Sequence, residues 1–288
     1  MSLRVSSRVV TAVAFITVIS LVASTAIFLW LRHAVNDSHV PQASDLVPAG
    51  APRRVMAVWA HPDDEVTSAG TLAQLVRQGV QVSIVYYTHG EAAHHTGYSR
   101  EQLWRMRPQE AAEAGRAIGA RSVTVLDYGD GELVGAPGER AKTELRRLVA
   151  VQRPSVLISF DGRVGYYGHA DHAQVGRWVA DVVRAGSPDP TFPVRRLYQA
   201  TLPASVISLA RRHIAAFRDH YPPPPAPGLP APTVAVPIAR QASIKRAVLD
   251  AHRTQIRVID DVQPFGRKLP AWLYYRLLDR EYFAQVVP

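Results

Sequence analysis

The stretch VMAVWAHPDDE, residues 55–65, decides the prediction of the fold. Its first five residues are apolar, as in a buried strand, and a polar turn with four ionisable side chains follows them directly. A helical pattern over residues 68–78 and a second apolar strand over residues 80–87 come next. This order predicts a β-α-β unit in which the polar turn lies at the carboxyl end of the first strand, where α/β proteins bind their ligands.

The same alternation continues along the chain. Helical patterns are followed by short apolar strands, and the predicted elements are helix 101–118, strand 122–126, helix 140–151, strand 156–160, helix 171–185 and strand 196–201. Strands that alternate with helices predict an α/β fold, a Rossmann-like and mostly parallel sheet with helices on both faces. Farther on, residues 239–256 form a predicted helix, and the aromatic-rich residues 270–283 are expected to pack back on the domain.

An uncharged apolar run precedes this domain. It covers 23 residues, Val9–Leu31, between Arg8 and Arg32. At about 1.5 Å per residue the run would cross the hydrocarbon layer of a bilayer, about 30 Å thick, as one transmembrane helix. A cleaved signal peptide is the alternative, although its apolar region is normally shorter.

The charges beside the run suggest its orientation. Arg4 and Arg8 precede it, so the positive-inside rule favours a cytoplasmic amino terminus. We therefore expect a single-pass protein of the cell membrane whose catalytic domain is extracytoplasmic.

The chain divides into three predicted parts. Residues 1–32 are the membrane anchor, residues 33–53 are a linker, and residues 54–288 are the catalytic domain. The linker contains Asn, Asp, Ser, Pro and Gly without an apolar period, which is typical of a tether. Inside the domain, residues 220–237 contain eight prolines and predict a surface excursion, either a passive loop or a lid.

Composition excludes several classes of protein. The 288 residues include no cysteine, which excludes disulfides, thiolate metal sites and a cysteine nucleophile. A hydrophobic content of 47% excludes a disordered or collagen-like chain. The net charge is +9, but no run of basic and aromatic residues and no zinc-finger pattern favours nucleic acid as a partner. Nothing in the composition indicates an oligomeric state.

Two polar clusters carry the chemistry. In the first, AHPDDE at residues 60–65, Pro62 shapes a turn that lets His61 and Asp64 face one ion and leaves Asp63 for proton transfer. In the second, GHADH at residues 168–172, two histidines three residues apart share a helix face. Imidazole and carboxylate groups suit Zn²⁺. Either cluster alone could be a polar loop with a capping aspartate, but together, at strand ends of one sheet, they predict a metal site.

These two motifs resemble those of the LmbE-like, or PIG-L, zinc-dependent N-deacetylases. AHPDDE is similar to the family's first signature, and GHADH to its second, which usually reads HPDH, with Ala170 here in place of proline. The resemblance covers about residues 54–256. It implies Zn²⁺, or another divalent metal, bound by His61, Asp64 and His172. It also implies Asp63 as general base.

The resemblance further implies that His169 stabilises an oxyanion or protonates the leaving amine. Asp171 is expected to hold the His169 imidazole and to raise its pKa, or else to cap a helix. Tyr167, Arg107 and Asp130 are candidates for substrate binding. His252, on the last predicted helix, is a candidate for contact with the site.

The residues predict a membrane-tethered, zinc-dependent hydrolase, and the resemblance implies that it acts on amide C–N bonds. Its expected partners are the membrane, through residues 9–31, and an acetylated amino sugar, because the resemblance implies removal of the N-acetyl group from a GlcNAc-type glycoconjugate. An amidase for another acyl group and a non-catalytic glycan-binding module are the alternatives.

Overall fold

The computed structural model describes residues 7–94 and 96–286. Within these residues one sheet has seven strands: β1 (Arg54–Trp59), β2 (Gln81–Thr88), β3 (Ser122–Tyr128), β4 (Val156–Ser159), β5 (Arg196–Thr201), β6 (Val234–Pro237) and β7 (Arg280–Val286). Their spatial order is β3-β2-β1-β4-β5-β7-β6. The first five strands in that order are parallel, and β7 runs antiparallel to both β5 and β6. The predicted mostly parallel α/β fold is therefore confirmed.

Helices cover both faces of the sheet. The α-helices of the described residues are α1 (Ser7–Ala34), α2 (Ala69–Arg77), α3 (Arg100–Ile118), α4 (Gly138–Gln152), α5 (Gly165–Gly168), α6 (Ala170–Gly186), α7 (Ala204–His213), α8 (Ala215–His220), α9 (Ala242–Ala251), α10 (Ile256–Val262) and α11 (Ala271–Leu277). Side chains of β1 alternate between two cores. Trp59 packs in the core that contains Leu72 of α2, and Val58 packs in the core that contains Trp178 of α6.

The order of the strands reverses beside β1. The chain proceeds from β1 to β2 and β3 on one side, and from β4 to β5 on the other. Such a switch point opens a crevice beyond the carboxyl ends of the two adjacent strands. The AHPDDE motif follows β1 and the GHADH motif follows β4, so both lie at this crevice.

The carboxyl-terminal third differs from the predicted elements. The Pro-rich segment 220–237 ends in the edge strand β6, where Pro237 is tolerated because an edge strand need not donate every N–H. The single helix predicted over residues 239–256 is wrong. It is divided into a 3₁₀ turn, α9, a second 3₁₀ turn and the start of α10. His252 interrupts the helix with φ −85° and ψ 64°.

The segment expected to be a tether packs on the domain instead. Leu46 is 1% exposed and belongs to the main core. Residues 41–43 run beside β6, where the N–H of Ala235 donates to Pro41 O and the N–H of Ala43 donates to Ala235 O. The prediction of a free tether over residues 33–52 is therefore wrong, because a few apolar residues there fill the core without a regular period.

Helix α1 extends beyond the rest of the molecule. Within the described residues, one stretch, Val13–Ala34, is long and apolar enough to cross a membrane. Its large apolar side chains are exposed. At its last turn Arg32 forms an ion pair with Asp279, and Asn36 donates to Leu277 O. Residues 1–6 of the predicted anchor lie outside the described residues.

Candidate active site

The turn after β1 holds Asp64 in a fixed orientation. Its Oδ2 accepts the backbone N–H groups of Ala60 and His61, at 3.0 and 2.8 Å. Its Oδ1 lies 3.0 Å from Nε2 of His172. Burial alone would raise the pKa of Asp64, but the neighbouring His172 and His61 lower it to about 2. This carboxylate is therefore ionised and has one oxygen directed at the second motif.

The two histidines present one ring nitrogen each to the same point. Nδ1 of His61 and Nε2 of His172 are 3.2 Å apart. The opposite nitrogens are already used, since Nε2 of His61 lies 2.9 Å from Oδ1 of Asp130 and Nδ1 of His172 lies 3.2 Å from Gly165 O. Such partners fix the ring orientation of metal-binding histidines. Gly165 has φ +66°, and a Cβ there would lie 2.4 Å from the backbone nitrogen of Ala173.

These three side chains fit a divalent metal ion. Nε2 of His172 lies 3.2 Å from Nδ1 of His61 and 3.0 Å from Oδ1 of Asp64, close to the roughly 3.3 Å between two ligands of a tetrahedral ion with bonds of about 2.0–2.1 Å. The other Asp64 oxygen, Oδ2, lies 3.7 Å from Nδ1 of His61. Two imidazole lone pairs 3.2 Å apart require a positive charge between them. Burial opposes protonation of His61, but Asp130 and Asp171 raise its pKa well above the usual value, so the site favours positive charge.

Nearby groups extend the set of possible ligands. Ring nitrogens of His61, His169 and His172 lie within 4.8 Å of one another, as do ligand atoms of His61, Asp130 and Asp171. The structure thus brings the two predicted motifs together at one centre.

Asp63 lies beside this centre in a strained conformation. Its φ of 113° is in the left-handed region, which a non-glycine residue adopts at a cost of about 1–3 kcal/mol. Its Oδ2 accepts from Nη2 of Arg107 at 2.9 Å, and its N–H donates to Glu65 Oε2 at 3.0 Å. Burial raises the pKa of Asp63 to about 6, although Arg107 opposes the rise. A carboxylate with this pKa suits proton transfer near neutral pH.

His169 and Asp171 interact differently from the prediction. Nδ1 of His169 accepts the backbone N–H of Asp171 at 3.3 Å, so in the neutral ring the proton is on Nε2. The Asp171 carboxylate does not hold His169. It accepts the N–H groups of Gly131 and Leu133 and lies 3.4 Å from Nε2 of His61.

The pKa of His169 consequently shifts in the opposite direction. Burial, with the charges of His172 and His61, lowers the pKa of His169 to about 3 rather than raising it. The charge of Asp171 does raise the pKa of His169, as expected, but burial and the two neighbouring histidines outweigh it.

Two predicted substrate-binding residues contact the residues around the metal site. Arg107 is 2% exposed, and its guanidinium donates to Gly90 O, Pro62 O and the Asp63 carboxylate. These hydrogen bonds fix the position of the AHPDDE turn. Asp130 is buried behind His61 and also accepts the N–H of Ala92 at 2.8 Å. Tyr167 borders the site, with its ring 5.2 Å from the His172 ring.

A contact from the end of α9 supports the first motif. His252 Nε2 bonds with Glu65 Oε1, and both side chains are fully buried. The N–H and hydroxyl of Thr254 donate to the carboxylate of Glu110 on α3. His252 therefore reaches the site indirectly, through the residue that accepts the Asp63 N–H. The position of His252 in the sequence made it a candidate. The roles of Glu65 and Glu110 depend on contacts between residues that are more than 140 positions apart in the sequence.

The comparison with known proteins identifies the family. A family model described as GlcNAc-PI de-N-acetylase, PIG-L, matches residues 56–183. The 1D-myo-inositol 2-acetamido-2-deoxy-alpha-D-glucopyranoside deacetylase of Nakamurella multipartita is 32% identical, over 80% of this chain and 90% of its own length. The chain belongs to the PIG-L family. Membership confirms the prediction of a hydrolase that acts on amide C–N bonds.

Solved structures show the same fold at lower identity. N,N'-diacetylchitobiose deacetylase from Pyrococcus horikoshii has a TM-score of 0.60 and 22% identity, over 82% of this chain and 84% of that one. The 4-carboxy-2-hydroxymuconate hydratase from Pseudomonas putida has a TM-score of 0.58 and 17% identity, over 82% and 98%. A hydratase and a deacetylase share this fold, so the substrate has to be argued from the site.

Proposed function

We propose that this chain is a zinc-dependent deacetylase that removes the N-acetyl group from an amino sugar of the GlcNAc type. The observation that carries the proposal is the placement of Asp63 beside the side chains of His61, Asp64 and His172, whose nitrogen and oxygen atoms approach one another to 3.0–3.7 Å. A base and a metal site at one reacting centre suit hydrolysis. A module that only binds glycans has no use for an aspartate held in a strained, partly buried position.

Zinc is the ion that suits the donor set best. Two imidazole nitrogens and one carboxylate oxygen leave a fourth position open, which is the arrangement of catalytic zinc sites. When bound, such an ion polarises a carbonyl group and lowers the pKa of a bound water toward 7. Asp130 and Gly165 would keep the two imidazoles in the orientation that binding needs.

Asp63 would move the proton. It lies next to the ligand Asp64, and Arg107 fixes one of its oxygens. With a pKa of about 6, Asp63 is mostly ionised at neutral pH and takes a proton from the attacking water. The same carboxyl group then returns that proton to the leaving amine, so one residue acts as base and as acid.

His169 would stabilise the oxyanion as a neutral donor. Its Nδ1 is occupied by the Asp171 N–H, which leaves the Nε2–H to donate to the oxygen of the tetrahedral intermediate. The lowered pKa of His169 favours this neutral form. Transfer of the proton to the amine therefore belongs to Asp63 rather than to His169.

The substrate class rests on the relatives. The Nakamurella protein is named for a 2-acetamido-2-deoxyglucopyranoside, and the family model is named for GlcNAc-PI. These two names share an N-acetylated glucosamine, and we propose this sugar as the reacting part of the substrate of this chain.

We also infer that α1 anchors the protein in the cell membrane with the catalytic domain outside. The length and apolar surface of Val13–Ala34 support the anchor, and Arg4 and Arg8 support the orientation.

Acetate release tests this proposal. The full chain in lipid nanodiscs is assayed with GlcNAc-inositol, N,N'-diacetylchitobiose and an N-butyryl glucosamine, before and after removal of metal by a chelator. We expect acetate from the acetylated sugars, loss of activity with the chelator and recovery with Zn²⁺. Hydrolysis of the butyryl amide alone would favour the amidase. Binding of the sugars without release of any acyl group by the zinc-loaded protein would contradict the proposal.

A further inference from the structure

We propose that residues 263–276, the loop after α10 together with most of α11, form a second membrane contact, which docks the catalytic domain on an anionic phospholipid surface beside α1. This inference rests on the anchor proposed for α1 and adds a contact that orients the domain. We call residues 263–276 the aromatic surface. Its Phe265 and Trp272 are large and apolar, yet they are 62% and 58% exposed. Exposed apolar groups of this size mark surfaces that bind a protein or a membrane.

The loop holds Phe265 in a strained conformation. Phe265 has φ 66°, in the left-handed region that a bulky side chain rarely adopts. The guanidinium of Arg246 donates to Gly266 O and Leu269 O, at 2.6 and 2.5 Å, and fixes the loop. Gly266 packs against α11, because a Cβ added to it would lie 3.4 Å from the ring of Tyr274. Such strain persists only where the surrounding structure enforces it, so the exposure of Phe265 is a property of the fold.

Basic side chains accompany the two aromatic ones. The aromatic surface contains no acidic residue and three basic ones, Arg267, Lys268 and Arg276. Arg267 pairs with Asp250 at 3.4 Å, so Lys268 and Arg276 carry the positive charge of this surface. The guanidinium of Arg276 lies over the ring of Trp272, 5.7 Å from its centre. Segments that lie in the membrane interface combine Trp and Phe with Lys and Arg, because the rings enter the acyl boundary while the cations meet the phosphates.

Helix α11 connects this surface with the end of α1. The backbone oxygen of Leu277, the last residue of α11, accepts from Asn36. A helix rises about 1.5 Å per residue, so Trp272 lies about 8 Å along α11 from that junction. Phe265 and Leu31 of α1 line one cavity. The polar layer of a bilayer leaflet is about 5–8 Å thick. With α1 in a bilayer, both aromatic side chains are therefore within reach of the headgroups.

The bilayer is the occupant that these positions favour. Apolar rings and cations directly beside the end of a membrane helix match the acyl boundary and the phosphates of an anionic leaflet. A second copy of the chain on the same surface would have to fit between the domain and that leaflet. We therefore assign the aromatic surface to the lipid.

Spin labels measure the immersion of this surface in the full chain. The sequence has no cysteine, so each single-cysteine variant carries one nitroxide. The variants are one in α1, two in the aromatic surface and two exposed controls, namely Leu21→Cys, Phe265→Cys, Trp272→Cys, Val134→Cys and Val151→Cys. In zinc-loaded protein in phosphatidylglycerol nanodiscs, the labels in α1 and in the aromatic surface should collide more often with oxygen than with a water-soluble nickel chelate. The two control labels should collide more often with the nickel chelate.

The charge of the lipid is tested with the Phe265→Cys label. One basic side chain near an anionic surface strengthens binding about fivefold. Lys268→Gln should therefore lower the ratio of immersed to exposed label about fivefold in phosphatidylglycerol, and phosphatidylcholine should lower it further. Arg121→Gln, at an exposed position outside the aromatic surface, is the matched control and should leave the ratio unchanged. Equal ratios in the two lipids would overturn the assignment to an anionic surface.

The outcomes separate this inference from the proposals before it. A Leu21→Cys label in water would contradict the anchor and, with it, the second contact. A Leu21→Cys label among the acyl chains with both aromatic-surface labels in water would overturn the second contact alone. Protection of the Phe265→Cys label from both reagents, with spin–spin broadening, would identify a second copy of the chain and would also overturn it. Absence of acetate release by the wild type would contradict the proposed deacetylase and leave the contact standing.

Discussion

At the scale of single residues, neighbouring aspartates have separate tasks. Asp64 directs an oxygen at His172, whereas Asp63 is held by Arg107 beside the metal site. We expect Asp63→Asn to lower kcat about 10²–10⁴-fold, because the base is lost while the metal ligands remain. His172→Ala should lose zinc itself. Steady-state kinetics and the zinc content after dialysis distinguish these effects, and equal loss of zinc in both variants would contradict the assigned roles.

Asp130 should influence metal affinity without binding the metal. Its carboxylate accepts from Nε2 of His61, which leaves Nδ1 for the ion. Asp130→Asn should therefore weaken zinc binding about 10–100-fold. Asp127→Asn, which changes an exposed carboxylate three residues away, is the matched control and should leave the affinity unchanged. Competition with a zinc chelator measures both, and equal affinity in the two variants would remove Asp130 from this role.

The residues of the site could be identified from the sequence, but not all of their roles could be. His61 and Asp64 are three residues apart in one turn, so their convergence follows from local geometry. The partner of Arg107 lies 44 residues away, and Asp130 acts on a histidine of another strand end. Residue type indicated that both matter, but their contacts with Asp63 and His61 depend on the packing of the sheet.

At the scale of elements, the His252–Glu65 pair joins the end of α9 to the catalytic turn. Burial alone would lower the pKa of His252, but Glu65 raises it above its usual 6.5. Burial alone would raise the pKa of Glu65, but His252 lowers it below its usual 4.5.

The sign of the pH dependence follows from these two shifts. Protonated His252 contributes fully to the free energy of unfolding below pH 6.5, and this contribution is lost as the pH rises through its raised pKa. The contribution of the ionised Glu65 is full above pH 4.5 and is lost as the pH falls through its lowered pKa. Both are full between these values.

His252→Ala should therefore be most destabilising between about pH 4.5 and 6.5, by about 3–5 kcal/mol, because it leaves Glu65 buried and unpaired. Thermal unfolding at a series of pH values measures the difference from the wild type. A difference that stays constant between pH 5 and pH 9 would show that the pair is not ionised.

Leu46 tests whether the segment before β1 belongs to the domain. Leu46→Ala should lower the free energy of unfolding by about 2–5 kcal/mol, because the side chain is fully buried in the main core. Val134→Ala, at an exposed position, should cost less than about 0.5 kcal/mol. Denaturant unfolding of the two variants measures these losses. If both variants lose less than about 0.5 kcal/mol, residues 33–52 do not contribute to the core and form a tether, as the sequence predicted.

The elements that sequence could predict are those with strong local periodicity. Strands β1 to β5 and helices α2, α3, α4 and α6 each carry their own apolar pattern. Strand β6 is four residues long beside prolines, and residues 41–43 contain no apolar alternation. Their positions are determined by pairing with β7 and Ala235, which are distant in sequence, so local patterns could not reveal them.

At the scale of the whole molecule, the proposed topology predicts where proteases can act. If Arg4 and Arg8 remain inside the cell, protease added to intact cells from which the outer barriers have been removed should digest the catalytic domain. Fragments are followed with tags at both ends of the chain. Protection of the domain until lysis would reverse the orientation, and a chain that begins near residue 27 would identify a cleaved signal peptide.

If α1 spans a bilayer as proposed, its junction with the domain has a consequence for the kinetics of the enzyme. Arg32 pairs with Asp279, and Asn36 donates to the backbone at Leu277, so no loose linker separates the helix from the domain. In a bilayer, such a domain would stay close to the lipid surface. For a substrate held in the same bilayer, encounters would depend on lateral diffusion and on the number of substrate molecules per lipid. Adding inert lipid should then slow turnover even when the bulk concentration is unchanged.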